Sequence, residues 1–524
     1  MNAIATDHFL ASKAGIEMFK KGGNAFDAIT ASAAVLSVVD PYNSGLGGFG
    51  VAILRTSDGK IRGVNFIGTA PRRLKLEDLI EEDPWEDYKP TAEGPLSPLV
   101  PGNVAGWGEI HSKYGQLKWA DVLEPAILAA RGHEITNRIH KFYEGIKWKA
   151  ARHQSTYKTF YSSGSFPSVG EILKQPELEN TLKILAEEGW ESFYNGTLAS
   201  RISDAVRKWG GVLDEEDLKS YSLLWVNPLN TTFEKSTIYS LSQGTGGPIV
   251  LEWLNIIEQL NPQDSWDSGN FAHFFLEAGK LAMRDDDAYN SGKNYITMPV
   301  DKLISKEHAK ELAALITNKA NFYKKVNKSV YGLHTTSLSA IDDEGNAVTM
   351  TLTQMYGFDR NGLLEGLGFS LNDGVCYFST DPKDKERVEP MQRPRYPLSP
   401  IIAENQNELI TLGSAGGWTI PQTITLTLLK ILKFNMEIDK AIVTPRYILR
   451  YRDNSIPYPP GTVVEIEEGI PRATIEELRN RGHIIGSHTP FDKAPFGAVN
   501  GVQAMRGKMI GGAEIRRDGI ALTI

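Results

Sequence analysis

Residues 335–354 read TTSLSAIDDEGNAVTMTLTQ, two β-branched runs on either side of DDEGN. Threonine, valine and isoleucine favour extended strands, whereas aspartate, glycine and asparagine are typical of the turn of a hairpin. We expect a type I turn from Asp342 to Gly345, with Gly345 in the left-handed conformation of a G1 bulge. Counting outward from this turn places Thr335 opposite Thr353, on the same face of the hairpin. A two-residue loop would shift the register and separate the two hydroxyls.

The chain is acidic and globular in composition. Of its 524 residues, 41% are hydrophobic and 23% are charged, with a formal net charge of −8. This length suffices for two to three domains, and the negative charge weighs against nucleic acid or an anionic membrane as the main partner. The single cysteine, Cys376, rules out an intrachain disulfide and a cysteine-rich metal site. We expect Cys376 to be a buried small hydrophobe rather than a nucleophile.

The sequence carries no targeting signal that we recognise. The first residues contain no basic segment followed by an apolar one, and nowhere do 18 apolar residues follow each other. We therefore expect a cytoplasmic enzyme without a membrane partner. The ten histidines are scattered without the spacing of metal ligands, so we expect no metal ion.

The glycines of GLGGFG, residues 45–50, match the G-x-G-x-x-G pattern of dinucleotide-binding loops. Such a loop follows a strand and opens a helix. Here the Ala-rich stretch Ala25–Val39 predicts a buried helix upstream, with Asn24 as its N-cap, and FGVAILRT predicts a strand downstream. Because this order is reversed, we expect no cofactor, and we interpret the glycines as a turn that needs positive φ or a close approach of the backbone.

Hydrophobic periodicity divides the chain near His334–Thr335. Upstream, apolar residues recur with the 3.6-residue period of helices; downstream, short alternating or β-branched runs predict an α+β region with a sheet. The predicted helices are Ser12–Lys21, Ala25–Val39, Trp119–Arg131, Pro176–Glu187, Leu198–Trp209, Ile249–Leu260, Phe271–Arg284 and Ile420–Leu432. Further predictions are strands at Glu408–Leu412, Thr462–Glu467 and Gly519–Ile524, and loops at 78–100 and 285–300.

The segment TTSLSAIDDEGNAV resembles TTHxSVVDxxGNAV, the signature of the γ-glutamyltranspeptidases. Other stretches resemble the same family, in the same order and along nearly the whole chain. They are ASKAGIEMFKKGGNAFDAITAS from residue 11, NSGLGGFG from 43, VPGNVAGW from 100, GGVLDEEDLKSY from 210, GTGGPIVLEWLNIIE from 244 and LGSAGGWTIPQT from 412. Any one of them is a weak signal, but together they are specific.

The resemblance implies an α+β fold, the four-layer αββα sandwich of the N-terminal-nucleophile hydrolases. It also implies a precursor that cuts itself before Thr335. The products are a mostly helical large subunit, residues 1–334, which contributes to the sandwich, and a small subunit, residues 335–524. The implied activity is that of a γ-glutamyltransferase-related amidohydrolase or acyltransferase, glutathione hydrolases included, with a small-molecule amide as substrate. The two subunits would be each other's partners, and the sequence leaves a homo-oligomer open.

The implied nucleophile is Thr335. A threonine hydroxyl attacks an amide only when a base takes its proton, and the α-amine of a chain-terminal threonine, with a pKa of about 7.7–8.0, can serve as that base. The resemblance further implies that the Thr353 hydroxyl orients Thr335 and that the backbone amides of Gly416 and Gly417 hold the oxyanion. Apart from the resemblance, these residues read as strand threonines and as a glycine turn before a helix with Pro421 in its first turn.

The predicted substrate pocket departs from the family pattern. In NFIGTAP, residues 65–71, Ile67 stands where the family has the arginine that binds the substrate's α-carboxylate, and a bidentate clamp is lost. Tyr377 replaces the aspartate that pairs with the substrate's amine. Further departures are Gly68, Ser337, Met355, Gly374, Tyr396 and Pro397. We expect a pocket rebuilt with apolar and aromatic residues, lined by Ile67, Met355, Tyr377 and Tyr396, and poor recognition of γ-glutamyl groups.

Three arginines, Arg360, Arg393 and Arg395, flank the predicted site. They are either solvated loop charges, the interpretation we favour, or a replacement for the missing carboxylate clamp. Two alternatives to an amidohydrolase of altered specificity stay open. One is an unprocessed, non-catalytic relative that acts as a binding protein, and the other is a true glutathione hydrolase with a rearranged pocket. The sequence does not identify the substrate or the acceptor.

Overall fold

A computed structural model describes residues 1–80, 91–292, 299–322, 334–450, 462–489 and 496–524. Its strands are β1 Ala3–Thr6, β2 Phe49–Arg55, β3 Ile61–Phe66, β4 His133–Glu134, β5 Ile172–Leu173, β6 Leu224–Val226, β7 Leu229–Phe233, β8 Ser236–Ser240, β9 Thr335–Ile341, β10 Ala347–Thr353, β11 Ile401–Asn405, β12 Glu408–Ala415, β13 Tyr447–Arg450, β14 Val463–Glu467, β15 Ile484–Thr489, β16 Ala498–Met505, β17 Lys508–Gly512 and β18 Ile520–Thr523. Its helices are α1 Phe9–Lys20, α2 Ala25–Val39, α3 Asn103–Tyr114, α4 Trp119–Arg131, α5 Asn137–Ala150, α6 Gln154–Phe160, α7 Pro176–Glu188, α8 Thr197–Trp209, α9 Glu215–Ser220, α10 Gly247–Leu260, α11 Gly269–Tyr289, α12 Val300–Leu303, α13 Lys306–Ala313, α14 Gly357–Asn361, α15 Ile420–Leu432, α16 Ile438–Val443 and α17 Arg472–Asn480.

The hairpin predicted from DDEGN consists of β9 and β10. Gly345 has a φ of +81°, and its amide donates to the carbonyl of Asp342 at 3.1 Å. The amide of Asp342 in turn donates to the carbonyl of Asn346 at 3.0 Å. The strands pair with Thr335 opposite Thr353. The predicted bulge and the predicted register are therefore confirmed.

This hairpin lies in the middle of a sheet with the strand order β18-β1-β9-β10-β2-β3-β6. A second sheet has the order β17-β16-β12-β11-β8-β7. Neighbouring strands are antiparallel throughout both sheets. Each sheet contains strands from both sides of residue 334, so neither part of the chain completes the sandwich alone.

The two sheets pack face to face. The Ser339 hydroxyl on β9 donates to the carbonyl of Asn500 on β16 at 3.1 Å. A Cβ atom on Gly413 of β12 would lie 2.8 Å from the hydroxyl oxygen of Thr349 on β10, so only glycine fits at that position. Small and hydroxyl-bearing residues let the sheets approach closely here.

Helices cover the outer face of each sheet. Residues of α1 and α2 pack on the first sheet in a buried apolar cluster that includes Leu338 and Met350 of the hairpin. Residues of α10, α11 and α15 form a second cluster on the other sheet. The layers follow the order helix, sheet, sheet, helix, and the predicted four-layer α+β sandwich is confirmed.

Helix α2 has the predicted bounds because its start is strongly capped. The Asn24 side chain accepts from the amides of Phe26 and Asp27, and the Asp27 carboxylate accepts from the amide of Asn24. This is a capping box, which satisfies the free amides of the first turn. All 15 residues of the helix are buried, as expected of an Ala-rich helix enclosed by other layers.

The predicted loop over 285–300 is wrong at its start, because α11 continues to Tyr289. The run of aspartates there looks like a solvated loop. However, Arg395 donates to the carboxylates of Asp286 and Asp287 at 2.7 and 2.8 Å, and all three residues are buried. Residues 81–90 and 293–298 of the two predicted loops lie outside the described residues.

The glycines of residues 45–50 connect α2 to β2, which confirms the predicted order of helix and strand. None of them has a positive φ. Instead, a Cβ atom on Gly47 would lie 2.1 Å from the carbonyl oxygen of Ser370, and one on Gly48 would lie 2.4 Å from that of Thr353. Close approach of the backbone is what requires glycine in this loop.

Among the helices that the structure describes, none has the length and apolar character needed to cross a bilayer. The cytoplasmic location stays a prediction. The division into subunits at His334–Thr335 stays a prediction as well.

Candidate active site

Thr335 and Thr353 lie side by side at paired ends of β9 and β10. Both are buried, and the Thr335 hydroxyl donates to the Thr353 hydroxyl at 3.2 Å. Phe49 of β2 extends the row, because it pairs with Thr353 from the other side. Residues paired across antiparallel strands project from one face. On this face the Ser337 hydroxyl reaches the carbonyl of Ala498 at 3.4 Å, so the row points toward the second sheet.

The Thr353 hydroxyl also holds the carbonyl of His334. It donates to the His334 oxygen at 2.6 Å and accepts from the amide of Met355 at 3.0 Å. Met355 has a φ of +59°, a left-handed conformation that is strained for a residue other than glycine. These hydrogen bonds fix Thr353 between the Thr335 hydroxyl and the carbonyl group that precedes Thr335.

This arrangement suits an attack of the Thr335 oxygen on the carbonyl carbon of His334. The proton of the Thr335 hydroxyl is directed at Thr353. The proton of the Thr353 hydroxyl is directed at the oxygen on which negative charge would develop. One side chain thus connects the Thr335 hydroxyl to the carbonyl group of His334.

A buried charged cluster anchors the start of β9. Arg517 donates to the carbonyl of Thr335 at 2.6 Å and to the Asp7 carboxylate at 2.7 Å. Asp7 also accepts from the Thr336 hydroxyl and from the Asn500 amide group, each at 2.8 Å. Burial raises the pKa of Asp7, and the guanidinium of Arg517 counteracts this. The cluster holds the backbone at Thr335 and leaves its hydroxyl on the opposite face.

Gly416 and Gly417 connect β12 to α15 through a short 3-10 turn. Their φ angles are +124° and +59°, so both positions favour glycine. Within the described ranges, neither amide donates a hydrogen bond to a protein acceptor. Two adjacent amides at a helix start are suited to hold a negatively charged oxygen.

The glycine turn lies at the same end of the sandwich as Thr335. A Cβ atom on Gly416 would be 2.9 Å from the Cα of Gly497, the residue before β16. Strand β16 runs beside β9 in the same direction, because successive hydroxyls of β9 reach successive carbonyls of β16. The starts of both strands and the glycine turn are therefore neighbours.

The four residues predicted to line the substrate pocket belong to the same large apolar core, and two of them are in direct contact. Ile67, Met355 and Tyr396 belong to one buried apolar cluster with Phe49, and Tyr377 packs against it. The rings of Phe49 and Tyr396 are 4.8 Å apart at 77°, and Tyr396 stacks on Tyr377 at 3.7 Å. Burial raises the pKa of both tyrosines, so neither carries charge near neutral pH. Because Phe49 stands in the row of the two threonines, this neutral cluster begins beside them.

Two of the flanking arginines are structural, and their interpretation as solvated loop charges is wrong. Arg393 is buried and donates to the carbonyl of Ile67 at 3.0 Å. Arg395 is buried between the ring of Trp418, 4.8 Å away, and the adjacent carboxylates of Asp286 and Asp287. A buried charge needs such partners. The partners of these arginines come from distant segments, so the surrounding loop-like sequence does not indicate that the arginines are buried.

Arg360, the third arginine, lies over the ring of Tyr356 at 4.2 Å and donates to the carbonyl of Ala92 at 3.2 Å. Its guanidinium is 3.8 Å from the fully buried carboxyl group of Asp373. One Asp373 oxygen accepts from the amide of Tyr356 at 2.8 Å. The other has no hydrogen-bond partner among the described residues. Burial raises the pKa of Asp373 to about 8 although Arg360 opposes it, so this group is mainly neutral at pH 7.

Among the described residues, two groups of histidines and carboxylates could hold a metal ion by geometry. The first is His273, Glu277 and His483, and the second is Glu252, Asp285 and His308. In the first group the two imidazoles are hydrogen-bonded at 2.8 Å and Glu277 pairs with Lys280 at 2.6 Å. In the second, His308 lies 2.8 Å from Asp285. The histidines are scattered in sequence but not in space, and the absence of a metal stays a prediction.

Sequence reasoning missed residues that reach the site from remote segments. Asp7 and Arg517 come from opposite ends of the chain, and no local pattern marks either one. Phe49 begins a predicted strand. Pairing this strand with the hairpin in register would have predicted that Phe49 lies beside Thr353. Cys376, by contrast, is buried as predicted, and burial raises the pKa of its thiol.

Comparisons with known proteins agree with this geometry. The family model described as Gamma-glutamyltranspeptidase matches residues 11–524. The Glutathione hydrolase-like YwrD proenzyme of Bacillus subtilis (strain 168) is 29% identical over 530 residues, which cover 99% of this chain and 98% of that protein. The Acylase ACY 1 proenzyme of Pseudomonas sp. (strain SE83) is 27% identical over 521 residues, 96% of this chain and 92% of that protein.

A solved structure matches over the same extent. The crystal structure of cephalosporin acylase from Bacillus halodurans superposes with a TM-score of 0.89 at 28% identity, covering 99% of this chain and 95% of that one. The likeness therefore includes the hairpin, the glycine turn and both sheets.

Proposed function

This chain belongs to the γ-glutamyltranspeptidase family, and from that membership we propose that it is an amidohydrolase that cuts its own His334–Thr335 bond and then cleaves a small amide through an ester on Thr335. The resulting subunits are residues 1–334 and 335–524. Family membership supports amidohydrolase or acylase chemistry. The self-cleavage, the nucleophile and the altered specificity are the further content of the proposal.

The observation that carries the proposal is the chain of hydrogen bonds from Thr335 through Thr353 to the carbonyl of His334. A pair of ordinary strand threonines has no need of a contact with the preceding carbonyl. Here two successive hydrogen bonds align a nucleophile, a proton acceptor and a polarised carbonyl. The non-catalytic alternative leaves this alignment unexplained.

In self-cleavage, the Thr335 oxygen attacks the carbonyl carbon of His334. The C–N bond of the peptide breaks, the nitrogen takes a proton and becomes the α-amine of Thr335, and an ester remains on the hydroxyl oxygen. Water then opens the ester, which leaves a carboxylate on His334 and a free Thr335.

In turnover, the new α-amine takes the hydroxyl proton while Thr335 attacks the substrate's amide carbonyl. The amine part of the substrate leaves with that proton, and water hydrolyses the ester. We assign the amides of Gly416 and Gly417 to the oxyanion, because they lie at the same end of the sandwich with no protein acceptor in the described ranges. Thr353 orients the nucleophile in both reactions.

Ile67, Met355, Tyr377 and Tyr396 are proposed to line the substrate pocket beside the reacting carbonyl. Their support is that Tyr396 contacts Phe49, which pairs with Thr353, and that Tyr377 stacks on Tyr396. Ile67 and Met355 belong to the same apolar core. Such a surface binds an uncharged acyl group and leaves a zwitterionic one without partners. This favours simple acyl amides over γ-glutamyl compounds.

The first prediction concerns the purified wild-type chain. We expect two fragments of roughly 37 and 21 kDa, obtained by dividing 57.9 kDa in proportion to length, with threonine at the new amino terminus. Denaturing electrophoresis and intact-mass spectrometry measure both features. A chain that stays whole after long incubation, and that hydrolyses no acyl anilide, would instead support the binding-protein alternative.

The second prediction separates the Thr353 hydroxyl from its methyl group. Thr353→Val keeps the shape but removes a hydrogen bond to a reacting group, so maturation and turnover should slow about 5- to 150-fold, on the order of 1–3 kcal/mol in the barrier. Thr353→Ser should retain most of both rates. The measurements are the rate of fragment formation and the steady-state hydrolysis of an acyl anilide.

Thr351 offers a matched control for this change. It lies on the same face of β10, two residues earlier, and its buried hydroxyl has no hydrogen-bond partner among the described residues. Thr351→Val should therefore leave both rates within about twofold of wild type. Equal slowing by Thr351→Val and Thr353→Val would show that the Thr353 hydroxyl has no special role.

A further inference from the structure

The ring of His334 lies in an aromatic cage formed by Tyr42, Phe142 and Tyr356. The ring centroid of His334 is 5.7 Å from Tyr42, 5.7 Å from Phe142 and 4.9 Å from Tyr356, each in an edge-to-face arrangement. Tyr42 and Phe142 also stack on each other at 3.8 Å. These are favourable geometries for aromatic rings, so the cage is shaped to hold a flat ring.

The cage holds an uncharged ring. Burial lowers the pKa of His334 to about 4, so the imidazole is neutral at physiological pH. Arg138 donates to the Tyr42 hydroxyl, and Arg360 lies over the Tyr356 ring, which fixes two walls of the cage from outside. His334, Phe142 and Tyr356 are each partly exposed.

The proposed self-cleavage makes His334 the first acyl group that the site carries. Attack by Thr335 produces an ester whose acyl part is His334, with its carbonyl at Thr353 and its ring in the cage. Any later substrate forms an ester with the same oxygen of Thr335. The carbonyl carbon of its acyl group is therefore bonded to the same oxygen as the carbonyl carbon of His334 was.

Hydrolysis of that first ester gives His334 a carboxylate. The same cleavage removes the covalent bond that held His334 to Thr335, so the new chain end is free to leave the cage. Departure leaves a cage of three rings next to a reactive threonine.

This inference rests on the proposed function. We propose that the aromatic cage of Tyr42, Phe142 and Tyr356 binds the acyl part of the substrate once His334 has left it. We further propose that this acyl part is a 3-arylpropanoyl group. The spacing follows from histidine, in which Cα and Cβ separate the ring from the carbonyl carbon. The reaction is hydrolysis: the amide and water give a 3-arylpropanoic acid and an amine, with no other reactant.

Spacing of the ring is tested with a series of 4-nitroanilides on the self-cleaved wild-type protein. The acyl groups are butanoyl, benzoyl, phenylacetyl, 3-phenylpropanoyl and 4-phenylbutanoyl. We expect kcat/KM for the 3-phenylpropanoyl compound to exceed that for butanoyl by about 10-fold or more, as the contacts of a well-placed ring allow. Its shorter and longer homologues should fall below it by about 3-fold or more.

A binding measurement tests the replacement of His334 without relying on turnover. In Thr335→Ala, which cannot cut itself, His334 stays in the cage. 3-Phenylpropanoate should therefore bind the cleaved wild type, by calorimetry, at least about 10-fold more tightly than the intact variant. Equal affinity for the two forms would overturn the cage as the acyl site.

Phe142→Leu and Trp148→Leu provide a matched pair on α5. Phe142 is a wall of the cage, whereas Trp148 is 60% exposed. Phe142→Leu should lower the ratio of 3-phenylpropanoyl to butanoyl hydrolysis about 3- to 10-fold, and Trp148→Leu should not change it. If the cleaved protein hydrolyses the butanoyl and 3-phenylpropanoyl anilides with equal kcat/KM, the cage inference fails while the proposed function stands. If no fragment and no hydrolysis is seen, both fail.

Discussion

Thr335→Ala should leave one full-length chain and reduce amide hydrolysis by on the order of 10⁴-fold or more, as the loss of a catalytic nucleophile does in other hydrolases. The substitution removes the oxygen that attacks, and with it both the ester and the α-amine that self-cleavage would release. The fold should survive, because Arg517 still binds the Thr335 carbonyl and the Thr335 hydroxyl has a hydrogen bond only to Thr353 among the described residues. Intact mass, circular dichroism and anilide hydrolysis measure the three effects.

Two substitutions bracket this result. Thr335→Ser keeps a hydroxyl at the same position and should still cut itself, at a lower rate, because serine has a less restricted side-chain torsion. Thr336→Ser changes the neighbouring threonine but keeps its hydroxyl for Asp7, on the opposite face of β9, and should cut normally. Fragments of unchanged size from Thr335→Ala would place the nucleophile elsewhere in the chain.

The sequence predicted the pairing of Thr335 with Thr353 because one short-range rule determines it. The glycine of DDEGN sets the bulge, the bulge sets the register, and the register puts Thr335 against Thr353. Helices α2, α4 and α15 were equally predictable, since their apolar patterns are local and α2 also has a local cap at Asn24. The pairing of β9 with β1 was not, because it joins segments more than 300 residues apart.

Charged residues were the least predictable part of the site. Arg393 and Arg395 look like loop charges in sequence, yet each is buried on a partner that arrives from another segment. The anchor formed by Asp7 and Arg517 spans nearly the whole chain for the same reason. Burial of a charge depends on where its partner folds, and no local pattern carries that information.

The second large effect that we expect is weak activity on γ-glutamyl groups. Where the family has an arginine for the substrate's α-carboxylate, Ile67 is buried in an apolar cluster and its carbonyl is occupied by Arg393. Where the family has an aspartate for the amine, Tyr377 stacks on Tyr396. Asp373 does not replace that aspartate at pH 7, because burial raises its pKa to about 8.

Four anilides separate the effects of the α-carboxylate and the α-amine of the glutamyl group. γ-Glutamyl carries both, glutaryl lacks the amine, 4-aminobutanoyl lacks the carboxylate and butanoyl lacks both. Each charge that enters a neutral pocket loses hydration and gains no partner, so butanoyl should have the highest kcat/KM and γ-glutamyl should be about 100-fold or more below it. The cleaved wild-type protein is assayed at pH 7 with all four.

Of the three flanking arginines, Arg360 is the one that is partly exposed. The carboxyl group nearest to it, Asp373, is mainly protonated at pH 7 and does not neutralise its charge. If it binds a carboxylate, glutaryl anilide will exceed butanoyl, and Arg360→Met will remove that advantage while leaving the ratio of 4-aminobutanoyl to butanoyl unchanged. A γ-glutamyl compound that is the best of the four, with a kcat/KM near 10⁴ M⁻¹s⁻¹ or above, an ordinary value for an enzyme and its substrate, would contradict the rebuilt pocket. It would also make glutathione the first substrate to test. With butanoyl as the best of the four, selection must instead come from the apolar and aromatic surfaces beside Thr335, since these contribute binding energy without charge.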